Sequence, residues 1–146
     1  MMLKKENIEI TNEVLDAESA LRAIGTVMLD AGSITSDYID NMITSYRELG
    51  PYFVIAPGIA IAHAKPDESV LANDIALIVC QRPVRFNSHN DPVSLLFGLC
   101  ATNGHGHMDV LVQLSEMLSD QHMVTQLKQS TNKQQLIDLI DRYSQP

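Results

Sequence analysis

The spacing of apolar positions divides the chain into three blocks. In the first, Leu21, Ile24, Met28 and Ala31 fall on one face of a helical repeat, and Ile39, Met42, Ile43, Tyr46 and Leu49 on another. Asp16 and Gly32 read as the cap and stop of the first helix. Ser36 and Gly50-Pro51 do the same for the second, whose last turn carries Arg47 and Glu48. The middle block changes to short apolar runs at 53–56, 59–62, 75–80 and 93–101, bounded by Pro, Gly, Asn and Asp, which is the pattern of buried strands. Pro57-Gly58, Arg82-Pro83 and residues 87–92 read as the turns between them. The last block is helical again. Its stripes are Val110, Leu111, Leu114, Met117 and Leu118; then Met123, Val124 and Leu127; then Leu136, Ile137, Ile140 and Tyr143, with Thr131 and Gln134 at capping-box spacing before the last. Helices before and after a group of strands predict an α/β sandwich, a central sheet covered by helices.

Composition narrows the class. At 146 residues and 45% hydrophobic, with no linker, repeat or low-complexity tract, residues 1–146 are expected to form one domain with a real core. No stretch approaches the ~20 apolar residues of a membrane span, and the start, Met1-Met-Leu-Lys-Lys-Glu6, lacks a signal-peptide apolar core. A cytoplasmic protein without direct membrane insertion is therefore expected. Ten basic against 18 acidic residues, a formal charge of −8, argue against a nucleic-acid binder. An acidic surface suits simple solubility or fast encounter with a basic partner. Cys80 and Cys100 lie in apolar runs with no adjoining cation to stabilise a thiolate, and read as buried small hydrophobes.

Candidate chemistry gathers on histidines. His63 stands where the run 59–62 gives way to the polar turn Lys65-Pro66-Asp67. Ala60, Ala62 and Ala64 flank it with little bulk, leaving the ring open to a second macromolecule. An imidazole capping a strand end is the alternative. His107 follows Gly104-His105-Gly106 and opens the helix whose stripe begins at Val110. A helix N-terminus favours an anion, so a phosphoryl group could be held there, or His107 could simply cap a backbone group. Lys65 reads as a rim residue able to attract phosphate, and His89 and His122 carry no assigned role. His105, His107 and His63 could also supply three imidazoles for zinc and so a hydrolase, although a lone His-x-His is a weak signal.

The order Tyr46-Arg47-Glu48, then Gly58-Ile-Ala-Ile-Ala-His63-Ala64, then Pro92-Val-Ser-Leu-Leu-Phe-Gly-Leu99, then His107-Met-Asp-Val-Leu-Val-Gln-Leu-Ser115 resembles the enzyme IIA domain of the bacterial phosphoenolpyruvate-dependent sugar phosphotransferase system, mannitol and fructose class. That resemblance covers nearly the whole chain and implies a mixed central sheet flanked by helices on both faces. It implies His63 as the phosphoryl-accepting nucleophile and His107 as a donor to a phosphoryl oxygen. Arg47 would orient His107 or contact phosphate through its planar fork. The implied donor is the histidine-containing phosphocarrier protein, and the implied acceptor a cysteine of the cognate IIB component, which works with the membrane IIC permease. No metal or cofactor is implied. IIA-like domains also serve as phosphorylation-state sensors, so a regulatory module is the alternative role. Within the class, the run Gly50-Pro-Tyr-Phe-Val-Ile-Ala-Pro-Gly58 and the alanine before His63 look most like the ascorbate-specific branch. Many mannitol and fructose members have proline where this chain has Ala62. A IIA component never touches sugar, so ascorbate rests on branch resemblance.

Overall fold

Five strands form one sheet in the order β1-β4-β5-β3-β2, with β1 at Ile8–Thr11, β2 at Val54–Ala56, β3 at Ile59–Ala62, β4 at Asp74–Val84 and β5 at Val93–Cys100. The computed structural model describes residues 3–144; the outermost residues of the expected domain, 1–2 and 145–146, lie outside the described residues. β1 and β4 pair in parallel, as do β3 and β5, whereas β4 with β5 and β2 with β3 are antiparallel. The sheet is therefore mixed. Helices α1 (Ala17–Asp30) and α2 (Ser36–Leu49) cover one face, and α3 (Gly104–Leu118), α4 (Gln121–Lys128) and α5 (Lys133–Ser144) the other.

The period-2 alternation of the strands supplies both cores. Ala60, Ala62, Ala76, Ile78 and Leu96 face α1 and α2; Ile59, Ile61, Ile75, Leu77, Leu95 and Phe97 face the other three helices. Because both faces are buried, the central strands read as continuous apolar runs rather than alternating ones. Small residues set how close α1 can lie. A Cβ on Gly98 would come within 2.6 Å of Ile24 Cγ1, and Ala60, Ala62 and Ala76 are fully buried on the same face. The alanines before His63 thus make room for helices inside the molecule, not for a partner outside it.

Several expected boundaries move. Arg82 and Pro83 belong to β4 instead of a turn: the β4–β5 register slips between Val79 and Val84, and the β1 pairing ends at Cys80, so Pro83 occupies an interrupted stretch of ladder. β1, only four residues long, was too short to declare itself. Thr35, not Ser36, is the N-cap of α2, and it makes no side-chain cap bond. The cap of α5 shifts by one residue: Asn132 Oδ1 accepts from Gln135 N at 2.9 Å, and Gln135 Oε1 accepts from Thr131 N at 3.0 Å. Leu49, expected to face inward, is 70% exposed and lines the open cavity described below.

Candidate active site

His63 and His107 meet because two parallel strands end side by side. β3 stops at Ala62, paired with Gly98 of β5, and the chain continues into His63. β5 runs two residues further and, after a short turn, enters α3. Asn103 caps that helix, its Oδ1 accepting from Gly106 N at 2.8 Å, and His107 stands in the first turn. The ring centroids of His63 and His107 lie 5.4 Å apart. Such crevices beyond the carboxyl ends of strands are where open α/β sheets bind ligands.

Buried Tyr38 of α2 stitches the two strand ends together. Its hydroxyl accepts from Ala64 N at 2.9 Å and donates to Leu99 O at 2.8 Å. A buried backbone group left unpaired costs about 1–3 kcal/mol, so a phenylalanine there would loosen the segment that carries His63. Burial pushes the Tyr38 phenol far above its ordinary value, which keeps it a donor.

The tautomer of His63 follows from one contact. Nδ1 lies 2.6 Å from the Ile61 carbonyl, which can only accept, so Nδ1 carries the proton and Nε2 keeps a free lone pair. Burial, first, and the neighbouring His107 hold this imidazole below the ordinary histidine range, while the bond to Ile61 acts in the opposite direction. The neutral form of the ring is thereby favoured. His107 is set up differently. Its Nδ1 is shut away from solvent with no hydrogen-bond partner, and a bare lone pair is easier to leave unpaired there than an N–H. Nε2 is then the nitrogen that can offer a proton to a group in front of His63.

Both rings line an open cavity of about 680 Å³. α2 contributes Asn41, Thr44, Ser45 and Glu48, one helical face at intervals of three and four residues. Asp67 closes the rim, its carboxyl held below the usual range by the hydroxyl and amide of Ser69 and by Asn41. Lys65 is the one lysine or arginine among the described residues lining it. Tyr52 completes the wall, with its hydroxyl bonded to the His63 carbonyl.

Arg47 is not brought to this pair, which corrects the role expected for it. Its guanidinium grips Glu18 of α1 in a two-pronged pair, Nη2 to Oε1 at 2.6 Å and Nε to Oε2 at 2.9 Å, on the exposed outer surface. One residue along the helix turns the side chain about 100° from the face that Glu48 shares with the cavity. Arg47→Ala is accordingly expected to leave phosphoryl transfer within about twofold of wild type, since an exposed pair of this kind contributes little elsewhere; a loss of a hundredfold in a quenched-flow assay would return Arg47 to the site. His105 is 89% exposed, with Asp109 as its neighbour at 3.5 Å, so the zinc triad does not assemble. Among the described residues no three His, Cys, Asp or Glu come together as metal ligands. Cys80 and Cys100 are buried, and burial raises their thiols to about 11 and about 12. His89 lies in a separate polar hollow with Arg85 and Asp91. Tyr38 and Tyr52 escaped the sequence reading; Tyr38 could have been noticed as a polar-tipped ring at an inward helical position, where its hydroxyl demands a partner.

A mixed α/β sandwich with two imidazoles facing each other past its parallel strand ends is an arrangement suited to phosphoryl transfer. The chain belongs to the family described as phosphoenolpyruvate-dependent sugar phosphotransferase system, EIIA 2, which it matches over residues 1–143. It is thus a phosphotransferase component of the enzyme IIA kind. It is 30% identical over 138 residues to the mannitol-specific cryptic phosphotransferase enzyme IIA component of Escherichia coli K12, covering 94% of each chain. A solution structure of the Escherichia coli protein of that name has a TM-score of 0.88 at 29% identity, covering 97% of this chain and 96% of that one. Identity is 28% over 143 residues to the ascorbate-specific PTS system EIIA component of Escherichia coli K12, with 97% of this chain and 93% of that one covered. The complex of enzyme IIA mannitol with phosphorylated enzyme IIB mannitol from Escherichia coli shares the fold, with a TM-score of 0.81 at 22% identity over 96% of this chain and 99% of that one. Among the described residues no helix is long and apolar enough to cross a membrane.

Proposed function

We propose that the chain, acting as one domain in the cytoplasm, relays phosphate from the phosphorylated histidine-containing phosphocarrier protein to a cysteine of a IIB component, through a covalent phosphohistidine at Nε2 of His63. The observation that supports this reading is the 2.6 Å contact of His63 Nδ1 with the Ile61 carbonyl, which leaves Nε2 with a free lone pair. In the first transfer the N–P bond of the carrier breaks as the Nε2–P bond of His63 forms. The lone pair of Nε2 supplies the new bond, and the carrier's imidazole leaves with the old one. No proton has to be removed, because Nδ1–H stays on Ile61 and bears part of the positive charge the ring acquires. The transition state is largely dissociative, so positioning and charge stabilisation dominate. His107 Nε2–H donates to a phosphoryl oxygen, and Lys65 adds the nearby positive charge.

The second transfer sends the phosphoryl group to a thiolate on IIB, which serves a membrane IIC permease. That partner is supported by the resemblance and by the fold shared with the IIA of the mannitol complex. Ascorbate is the proposed sugar, on the strength of the run Gly50 to Gly58 and Ala62, although relatives named for mannitol and for ascorbate stand at nearly equal identity. The chain loaded by phosphoenolpyruvate, enzyme I and the carrier, then mixed with purified IIB proteins, is expected to discharge fastest to an ascorbate-type IIB. Faster discharge to a mannitol-type IIB would overturn the sugar. Loading without discharge to either would replace the relay by a phosphorylation-state sensor.

A further inference from the structure

Tyr52 touches His63 twice. Its hydroxyl donates to the His63 main-chain carbonyl, just past the end of β3. Its ring stands edge-on to the imidazole, with centroids 5.2 Å apart and planes at 87°. Ser45 of α2 stands beside the same phenol and tempers the rise of its pKa. On its other side the ring meets Phe53, again edge-on at 5.2 Å, and Phe53 is 1% exposed and packed against Phe86 and Tyr46. Tyr52, itself 38% exposed, is therefore a strut running from the core to the residue that must present Nε2.

The need for a strut follows from how little else holds the ring. One hydrogen bond, from Nδ1 to Ile61, fixes the tautomer and one ring atom but not the tilt of the imidazole about that contact. In-line attack depends on that tilt, because a reaction with little covalent assistance draws its rate from orientation. We propose that Tyr52 is a positioning residue for phosphoryl transfer: its hydroxyl fixes the main chain at His63 and its ring fixes the imidazole plane, so that Nε2 faces the incoming phosphorus. This rests on the proposed role of His63 as acceptor. Desolvation raises the Tyr52 phenol above its ordinary value, so the hydroxyl remains a donor at working pH.

Tyr52→Phe removes the hydroxyl and keeps the ring; Tyr52→Leu removes both. With enzyme I, phosphoenolpyruvate and a titration of the carrier, kcat is expected to fall about tenfold for the first and about a hundredfold for the second, with KM for the carrier held within about twofold. Nitrogen-15 spectra of the unphosphorylated protein are expected to show a single His63 tautomer in the wild type and exchange-broadened ring signals in Tyr52→Leu. Unchanged kcat in both variants would overturn the inference. So would a loss confined to KM, which would make Tyr52 part of a docking surface. Phosphate still appearing on His63→Ala would instead overturn the acceptor role, whatever the Tyr52 variants do, so the two failures are separable.

Discussion

His63→Ala is expected to take up no phosphate from the phosphorylated carrier while keeping the wild-type fold. Its ring is half-buried and makes one hydrogen bond, to Ile61, whose loss costs roughly 1 kcal/mol, a small part of a domain's stability. No other described residue lining the cavity has one ring N–H donated to a backbone carbonyl and the other ring nitrogen left with a free lone pair. Intact-mass measurement after loading reads the outcome directly: one acid-labile phosphate on the wild type, none on the variant. A phosphorylated variant would move the nucleophile elsewhere. The wild-type pH profile carries a signed expectation. Only the neutral imidazole has the lone pair, and burial holds its pKa below the ordinary histidine value. Uptake should therefore persist as pH falls through the ordinary histidine range and fail only below it. An inflection at or above the ordinary value in single-turnover experiments would contradict the desolvated setting of His63.

His107→Ala should still bind the carrier but transfer phosphate more slowly by roughly 10²–10³, the loss expected when one transition-state hydrogen-bond donor is removed. His107 stands 5.4 Å from His63, ring to ring, with its Nδ1 sealed and partnerless, so Nε2 is left to donate. No arginine lines the cavity among the described residues to take its place. Carrier binding measured by calorimetry separates this from a docking defect. An unchanged rate would reduce His107 to a residue of the helix start whose ring does no chemistry. Taken with the mild effect expected of Arg47→Ala, the two results would assign charge stabilisation to the imidazole and not to a guanidinium.

The residues that were legible were those whose neighbours in sequence are also their neighbours in space. The helices announced themselves through their stripes, and Asp16 through the cap it makes on Ser19 N at 2.8 Å. The runs 59–62 and 93–101 were legible as buried strands because both faces of the sheet are covered. β1 was not, since four residues pairing with Leu77 to Cys80 leave almost no periodic signal of their own. His63 and His107 could be singled out by their local setting, at a strand end and a helix start. Their partnership came from the family resemblance, since 44 positions separate them in the chain.

Helix phase and strand order lay beyond any reading of residue types. Arg47 and Glu48 are adjacent in the last turn of α2, yet Glu48 lines the cavity and Arg47 faces away to Glu18. Sequence determined the composition of each element, the apolar faces that must be buried and the placing of one imidazole at a strand end and another at a helix start. Tertiary structure decided which strand ends lie side by side, which face of α2 meets them, and that Tyr38 and Tyr52 clamp the chain around His63. The physical reason is that periodicity is local, whereas the parallel pairing of β3 with β5 and the hydrogen bonds of buried hydroxyls are long-range contacts, settled only when the whole core closes.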